Sequence, residues 1–248
     1  MAKFQCVNEL VKALQPIDPV YCFRKQSLKL ASNWFNHNFP GDVLYAVKCN
    51  PTETVVKTLI KNGINSFDTA SIDEIKLIKK ISPSSKIYFM HTIKKERSIY
   101  EAYFLYNVKA YAFDSKEELE KILKITKNAK DLELFLRVQT SNEHAEIDLS
   151  KKFGASINEA VSLSKIAKSK SKKFGLSFHV GSQCMHPIAY SNAIKELWNI
   201  IKKSNIIPDI INVGGCFPTT YPDLYPQPIK NYFLEIARAI KKLNLSKQ

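Results

Sequence analysis

Short apolar runs rich in β-branched and aromatic residues recur along the chain at Leu44–Val47, Ser66–Thr69, Ile87–Met90, Ala110–Phe113, Leu134–Val138, Leu176–Val180 and Ile210–Val213. Each has the length of a buried strand, and the intervals between them carry apolar residues at the three-and-four spacing of an amphipathic helix. Helix starts are marked by capping chemistry. Ser71-x-x-Glu74, Ser115-x-x-Glu118 and Ser156-x-x-Glu159 have the form of capping boxes, and Asn50-Pro51 offers an N-cap followed by proline at the first helical position. The pattern is a succession of seven βα units between residues 44 and 213. Strands joined by helical crossovers run parallel, and this many units without a Gly-rich dinucleotide-binding turn predict a (β/α) barrel of the TIM type rather than a doubly wound sheet. Such a barrel closes with about eight strands. After Val213 the chain offers a loop rich in Pro and Tyr from Phe217 to Pro228, an amphipathic helix from Ile229 to Leu243 and a polar end. The expectation is a barrel that lacks its eighth strand.

The 248 residues, 45% hydrophobic and 24% charged, fit one large domain or a fragment of a larger protein, and exclude a disordered chain. No apolar run approaches the ~20 residues of a membrane span, and residues 1–15 mix polar and apolar positions without a signal-peptide core. A soluble, cytoplasmic protein without a membrane partner is expected. The net charge of +14 comes almost wholly from lysine, with Arg24, Arg97, Arg137 and Arg238 the arginines. The lysines stand singly or in pairs on presumed helix faces, the pattern of a solvated surface rather than of a nucleic-acid interface, so no nucleic-acid partner is expected. Cys6, Cys22, Cys49, Cys184 and Cys216 form an odd, scattered set that predicts reduced thiols, and His37, His91, His144, His179 and His186 show no metal-ligand spacing.

In a barrel of this kind the chemistry sits at the C-terminal ends of the strands. Read off in order, those positions are Lys48, Asp68, His91, Asp114, Arg137, His179 and the Gly214-Gly215-Cys216 turn. Asp114, next to the Ser115 cap, is expected to be no more than a solvated strand end. A lysine, an arginine, a histidine and a glycine turn on one rim point to an anionic ligand, because glycines after a strand let backbone N–H groups approach a phosphate.

Five successive segments carry a resemblance: Tyr45-Ala46-Val47-Lys48-Cys49-Asn50, Phe67-Asp68-Thr69-Ala70-Ser71 with Glu74, Lys152-Phe153-Gly154, Ser177-Phe178-His179-Val180-Gly181-Ser182, and Val213-Gly214-Gly215-Cys216-Phe217-Pro218. In order and spacing they resemble the motifs of the ornithine/diaminopimelate/arginine decarboxylases, whose cofactor, pyridoxal 5'-phosphate, is bound in an alanine-racemase-like barrel. The branch most similar is ornithine decarboxylase, including its bacterial ornithine/lysine members. The resemblance implies that Lys48 holds the cofactor as a Schiff base, a task that needs an amine able to lose its charge in a partly desolvated site. It implies that His179 lies against the cofactor ring, that Ser182 with Gly214, Gly215 and Cys216 binds the phosphate, and that Asp68 and Arg137 line the pocket. Glu74 matches a family site residue, and its place in a capping box explains it equally well. Lys152 matches a residue that relatives use at the subunit interface, with an ordinary surface lysine as the alternative.

Two departures stand out. Cys216 occupies a position where the family has a third glycine; if the backbone there has positive φ, a side chain costs on the order of 1 kcal/mol and crowds the phosphate. The sequence also contains no Glu-Pro-Gly-Arg motif, which in relatives supplies the acid for the ring nitrogen, and nothing that matches the C-terminal β-domain. Residues 1–24 are read as a segment leading from such a domain, with Pro19–Phe23 a short strand and the stretch poorly ordered or irregularly packed, and residues 25–248 as the incomplete barrel with a helix over Lys25–Asn38. Three functional readings follow. The first is a truncated or split decarboxylase of a small basic amino acid, ornithine to putrescine in polyamine biosynthesis, completed by a separate chain or as a homodimer. The second is a non-catalytic cofactor-binding protein, and the third an inactive gene remnant.

Overall fold

The computed structural model describes residues 3–140, 145–147 and 152–243. His144 and the last five residues lie outside the described residues, as does Met1. The strands are β1 (Tyr45–Ala46), β2 (Ser66–Thr69), β3 (Lys86–Phe89), β4 (Ala110–Phe113), β5 (Glu133–Arg137), β6 (Ala145–Ile147), β7 (Lys173–Ser177), β8 (Ser182–Cys184) and β9 (Ile210–Asn212). The helices are α1 (Val7–Leu14), α2 (Lys25–Asn38), α3 (Glu53–Lys61), α4 (Ile72–Ile81), α5 (Glu96–Tyr100), α6 (Lys116–Ile125), α7 (Ile157–Lys170), α8 (Ile188–Ser204) and α9 (Ile229–Leu243). A seven-stranded sheet in the order β1-β2-β3-β4-β5-β7-β9 is parallel throughout, and its end strands β1 and β9 do not pair with each other. This is the predicted barrel, open by one strand.

Strand alternation separates two cores. Phe67, Ile87, Phe89, Tyr111, Phe113, Leu134, Leu136, Phe174 and Leu176 face the helices. The opposite parity packs inward: Tyr88, Ala110, Ala112 and Phe135, with Leu44, Met90 and Ile210, fill the barrel. Gly175 belongs to this inner set, and a Cβ there would stand 2.5 Å from the Phe135 ring. The same parity carries Asp68 and Arg137 inward at the upper end of the barrel, while Lys86 and Glu133 meet at 3.0 Å at its lower end. On the outside, Phe233 of α9 packs against Trp34, Phe35 and Phe39 at ring distances of 5.2–5.4 Å. The helical ring thus closes across the gap between β1 and β9 that the sheet leaves open.

Several local expectations are corrected. The strand predicted at Leu176–Val180 begins earlier, at Lys173, because its outset, Lys173-Phe174-Gly175, pairs with β5 and Asp209 Oδ2 accepts from the Phe174 N–H at 2.8 Å. The first strand yields after Ala46 to a 3-10 turn, Val47–Cys49. β6 and β8, to which the sequence pattern assigns no strand, form an antiparallel ribbon. Helix α3 starts at Glu53, with Thr52 in the cap position; Asn50 Oδ1 instead accepts from the Thr52 N–H at 3.0 Å and shapes the turn before it. Ser156 and Glu159 form the full capping box. Ser115 accepts from the Glu118 N–H, but the Glu118 carboxylate turns to Lys94 and Lys121 instead of back to the cap. At the N-terminus a helix, α1, stands where none was expected and buries no side chain, and Pro19–Phe23 pairs with no strand.

Candidate functional site

Lys48 sits in the 3-10 turn after β1, exposed on the rim, in a turn pinned by the Tyr45 hydroxyl donating to Asn50 O at 3.2 Å. Facing inward from β2, Asp68 has its carboxyl raised to about 6 by burial, opposed by the positive charge of Lys48 and reinforced by Glu74. Arg137 closes β5; burial pulls its guanidinium down, while Asp114 and Asp68 oppose that. The guanidinium carbon lies 4.9 Å from the Phe153 ring centre, and that ring meets His91 edge-on at 6.0 Å. Phe153 is placed by its neighbour. Gly154 has φ +102°, donates its N–H to Asp114 Oδ2 at 2.9 Å, and packs so tightly that a Cβ would stand 2.4 Å from Gln139 N. Asp114 therefore anchors the segment that covers Arg137, which corrects the expectation of a merely solvated strand end.

His179 stands two residues beyond β7. Its Nδ1 accepts from the Gly181 N–H at 3.0 Å, so the neutral ring carries its hydrogen on Nε2. Burial first, then the cations Arg137 and Lys48, push His179 down to about 4, which leaves a neutral imidazole at pH 7. Ser182 begins β8, opposite Ile147. Gln183 ties that ribbon to the loop after β9, donating to Thr219 O at 2.9 Å and accepting from Thr219 N at 3.0 Å. Within that loop Gly214 has φ +72°, and a Cβ on it would lie 2.4 Å from Phe178 O. Around Gly215 there is open space: no atom lies within 4 Å of where a Cβ would be. The Tyr190 hydroxyl donates to Gly215 O at 2.9 Å, and Phe217 stacks on Tyr190 at 5.4 Å, fixing the turn from below. Cys216 adopts φ +58°, so the left-handed conformation considered from sequence is present with a side chain on it.

The structure thus groups Lys48, Asp68, Arg137 and His179 within one electrostatic neighbourhood, and ties Gln183, next to Ser182, to Thr219 in the loop that carries the Gly214–Cys216 turn. Glu74 is occupied in capping: its Oε2 accepts from the Ala70 N–H at 2.8 Å, and its own N–H donates to Ser71 Oγ at 3.2 Å. It still lies near enough to influence Asp68 and Cys49. Lys152 is exposed. Phe153 and Asp114 are additions to the expected set; the Lys-Phe-Gly motif pointed to the first, and nothing local pointed to the Asp114–Gly154 bond. Concave spaces of ≈480 Å³ beside α1 and ≈660 Å³ beside α4 lie elsewhere and include no rim residue. Among the described residues no cluster of three or more His, Cys, Asp or Glu is arranged to hold a metal ion, and no helix is long and apolar enough to cross a membrane.

A phosphorylated aromatic aldehyde fits this donor set. An exposed primary amine, a flat neutral imidazole, the Ser182 hydroxyl and a glycine turn open to space match its aldehyde, ring and phosphate. Gly214 N–H is taken by Asn212 Oδ1 at 2.9 Å, and the space around Gly215 is open. The comparisons agree with the chemistry. Residues 25–247 match the family described as the pyridoxal-dependent decarboxylase, pyridoxal binding domain. The lysine/ornithine decarboxylase of Selenomonas ruminantium is 29% identical over 214 residues, which are 84% of this chain and 51% of that protein. Ornithine decarboxylase of Caenorhabditis elegans is 38% identical over 181 residues, 70% of this chain and 42% of that one. The solved arginine decarboxylase of Paramecium bursaria Chlorella virus has a TM-score of 0.83 and 31% identity, covering 96% of this chain and 64% of the other. The chain spans about half the length of the curated relatives it matches. It belongs to the pyridoxal-binding domain family of the pyridoxal-dependent decarboxylases, whose cofactor is pyridoxal phosphate.

Proposed function

We propose that residues 25–248 form the cofactor-holding half of a decarboxylase active site for basic amino acids, with ornithine the preferred substrate and putrescine the product. The observation that carries this is the convergence of Lys48, Asp68, Arg137 and a neutral His179 on the rim whose loop after β9 opens at Gly215. When bound, pyridoxal phosphate supplies the electron sink that lets an α-carboxylate leave as carbon dioxide. The chain's own groups do the rest. Lys48 offers its Nζ as the covalent anchor, and Asp68, with a carboxyl near 6, holds or gives up a proton beside it in the neutral range. His179 stays uncharged and flat, so it supports a planar ring without adding a third cation next to Lys48 and Arg137. Arg137, packed against the Phe153 ring, draws the anionic side of the ligand toward the barrel axis. Ser182 and the Gly214–Cys216 turn receive the phosphate.

Ornithine is supported by relatives whose names are ornithine and lysine/ornithine decarboxylase. Within residues 1–248 no group is assigned to the ring nitrogen or to the distal amine of the substrate. Polyamine formation in the cytoplasm is part of the same proposal, in keeping with relatives named ornithine decarboxylase. The test is carbon dioxide release from labelled ornithine, lysine and arginine, with the chain alone and after co-expression with the C-terminal part of a relative. Ornithine-preferring turnover that a Lys48→Ala substitution abolishes is expected. Preference for lysine or arginine overturns the substrate assignment, and a cofactor-loaded chain that never turns over with any complement is the non-catalytic protein instead.

A further inference from the structure

Two thiols flank the opening of the barrel, one on each unpaired edge of the sheet. Cys49 ends the 3-10 turn after β1, and Cys216 lies in the turn after β9. β1 and β9 are the end strands, and the contacts of Phe233 with Trp34, Phe35 and Phe39 draw α9 onto α2, which brings the two edges around to face each other. Both cysteines are exposed. Each turn is tied at one point, the first by Tyr45 through Asn50 O and the second by Tyr190 through Gly215 O, and both otherwise lie at the rim where a shift can bring them together. After burial, the charge of Cys216, which raises the Cys49 thiol, is the largest influence on it, ahead of Lys48, its neighbour in sequence, which lowers it. Coulomb influence falls with separation, so the two sulfurs share one electrostatic neighbourhood.

We propose that Cys49 and Cys216 form a reversible disulfide across the mouth of the barrel, by exchange with a low-molecular-weight disulfide, and that this bond shuts the cofactor site. The second half rests on the function proposed for Lys48 and the Gly214–Cys216 turn. In the first step the Cys216 thiolate attacks one sulfur of the small disulfide; its S–S bond breaks and one small thiol leaves, taking a proton. The Cys49 thiolate then attacks the Cys216 sulfur, forming the internal bond and releasing the second small thiol with the second proton. Two protein thiols are oxidised and one small disulfide is reduced. The order follows from Cys49, whose thiol burial and Cys216 hold above the ordinary range, so less of it is thiolate until the mixed disulfide brings it an electrophile at close quarters. A disulfide holds its two Cα atoms within roughly 4.4–6.8 Å. That separation would strap the loop after β9 to the turn that carries Lys48.

The full chain with Cys6→Ser and Cys22→Ser, which removes the other exposed thiols, is equilibrated in a glutathione and glutathione-disulfide buffer, alkylated and mapped by mass spectrometry. A Cys49–Cys216 linked peptide that dithiothreitol reverses is expected, and Cys49→Ser should leave a glutathione adduct on Cys216. Glutathione adducts on both cysteines with no link overturn the proposal, as does an unreacted pair at a poise that oxidises free glutathione. In the same samples, borohydride capture of pyridoxal phosphate on Lys48 should fall at least tenfold on oxidation and recover on reduction, with no oxidant effect in Cys49→Ser. A linked peptide with unchanged capture overturns the closing role. Absence of capture in the reduced protein is a failure of the proposed function, and the linked peptide then still decides the disulfide.

Discussion

Replacing Lys94 by methionine should destabilise the barrel by about 3 kcal/mol. Lys94 reaches from the turn after β3 into a buried position, and its ammonium donates to His91 O at 2.9 Å and Ala112 O at 2.6 Å while facing Glu118 Oε1 at 2.8 Å. The side chain is fully buried and Glu118 is 4% exposed. Burial pulls Lys94 down to about 8 against the opposing charge of Glu118, so the ammonium persists at pH 7 because that carboxylate is there. Breaking a buried pair from one side costs about 3–5 kcal/mol, since it strands the other charge. Here Lys121 still reaches Glu118 Oε2 at 2.5 Å and the methionine regains apolar burial, which place the expectation at the low end; the two freed carbonyls prevent it from vanishing. The assay is urea unfolding at pH 7 followed by circular dichroism, with a common slope. The double variant Lys94→Met/Glu118→Leu should be more stable than Lys94→Met by about 2 kcal/mol, because the stranded carboxylate is gone. A single variant within about 1 kcal/mol of wild type, or a double variant no better than the single, refutes the reasoning.

Asp68 and His179 should give opposite pH signatures. Asp68 is raised to about 6 from 3.8, so its contribution to stability is present below 3.8 and lost as pH rises through 6; Asp68→Asn should therefore lose about 2 kcal/mol relative to wild type between pH 7 and pH 4. His179 is depressed to about 4 from 6.5, so its contribution is present above 6.5 and lost as pH falls toward 4; His179→Gln should gain a comparable amount over the same interval. Parallel urea titrations at several pH values check both, and slopes of the same sign contradict the burial argument. Gly154→Ala should cost more than about 2 kcal/mol in the same assay, because φ +102° and a contact at 2.4 Å to Gln139 N leave a methyl no room; a neutral effect would mean the turn is not held as described. Cys216→Gly should relieve on the order of 1 kcal/mol of left-handed strain and tighten pyridoxal phosphate several-fold in a fluorescence titration, and weaker binding contradicts the account of this turn.

Much of the candidate site's placement on one rim was legible because strand ends and strand parity are local properties. Lys48, Asp68, Arg137 and the Gly214-Gly215 turn follow short apolar runs, and the barrel topology alone then gathers them on one rim. What escaped the sequence depends on partners far away in the chain. Lys173-Phe174-Gly175 does not look like the start of a strand until Phe135 of β5 is seen to need the space that Gly175 leaves. Asp114 reads as a solvated end until Gly154, 40 residues later, donates to it. Glu118 reads as a capping residue, but Lys94 offers its carboxylate a buried cation that the cap cannot match. The antiparallel pairing of β6 with β8 likewise joins segments with no shared pattern.

The central claim is that Lys48 is the covalent anchor of a pyridoxal phosphate site built by this chain. The most direct measurement is to incubate the full chain with pyridoxal phosphate, reduce with borohydride and map the pyridoxyl group by peptide mass spectrometry. One equivalent on Lys48, lost in Lys48→Ala and diminished by Cys49–Cys216 oxidation, is the predicted result. Labelling scattered over the surface lysines, unchanged by Lys48→Ala, would contradict it.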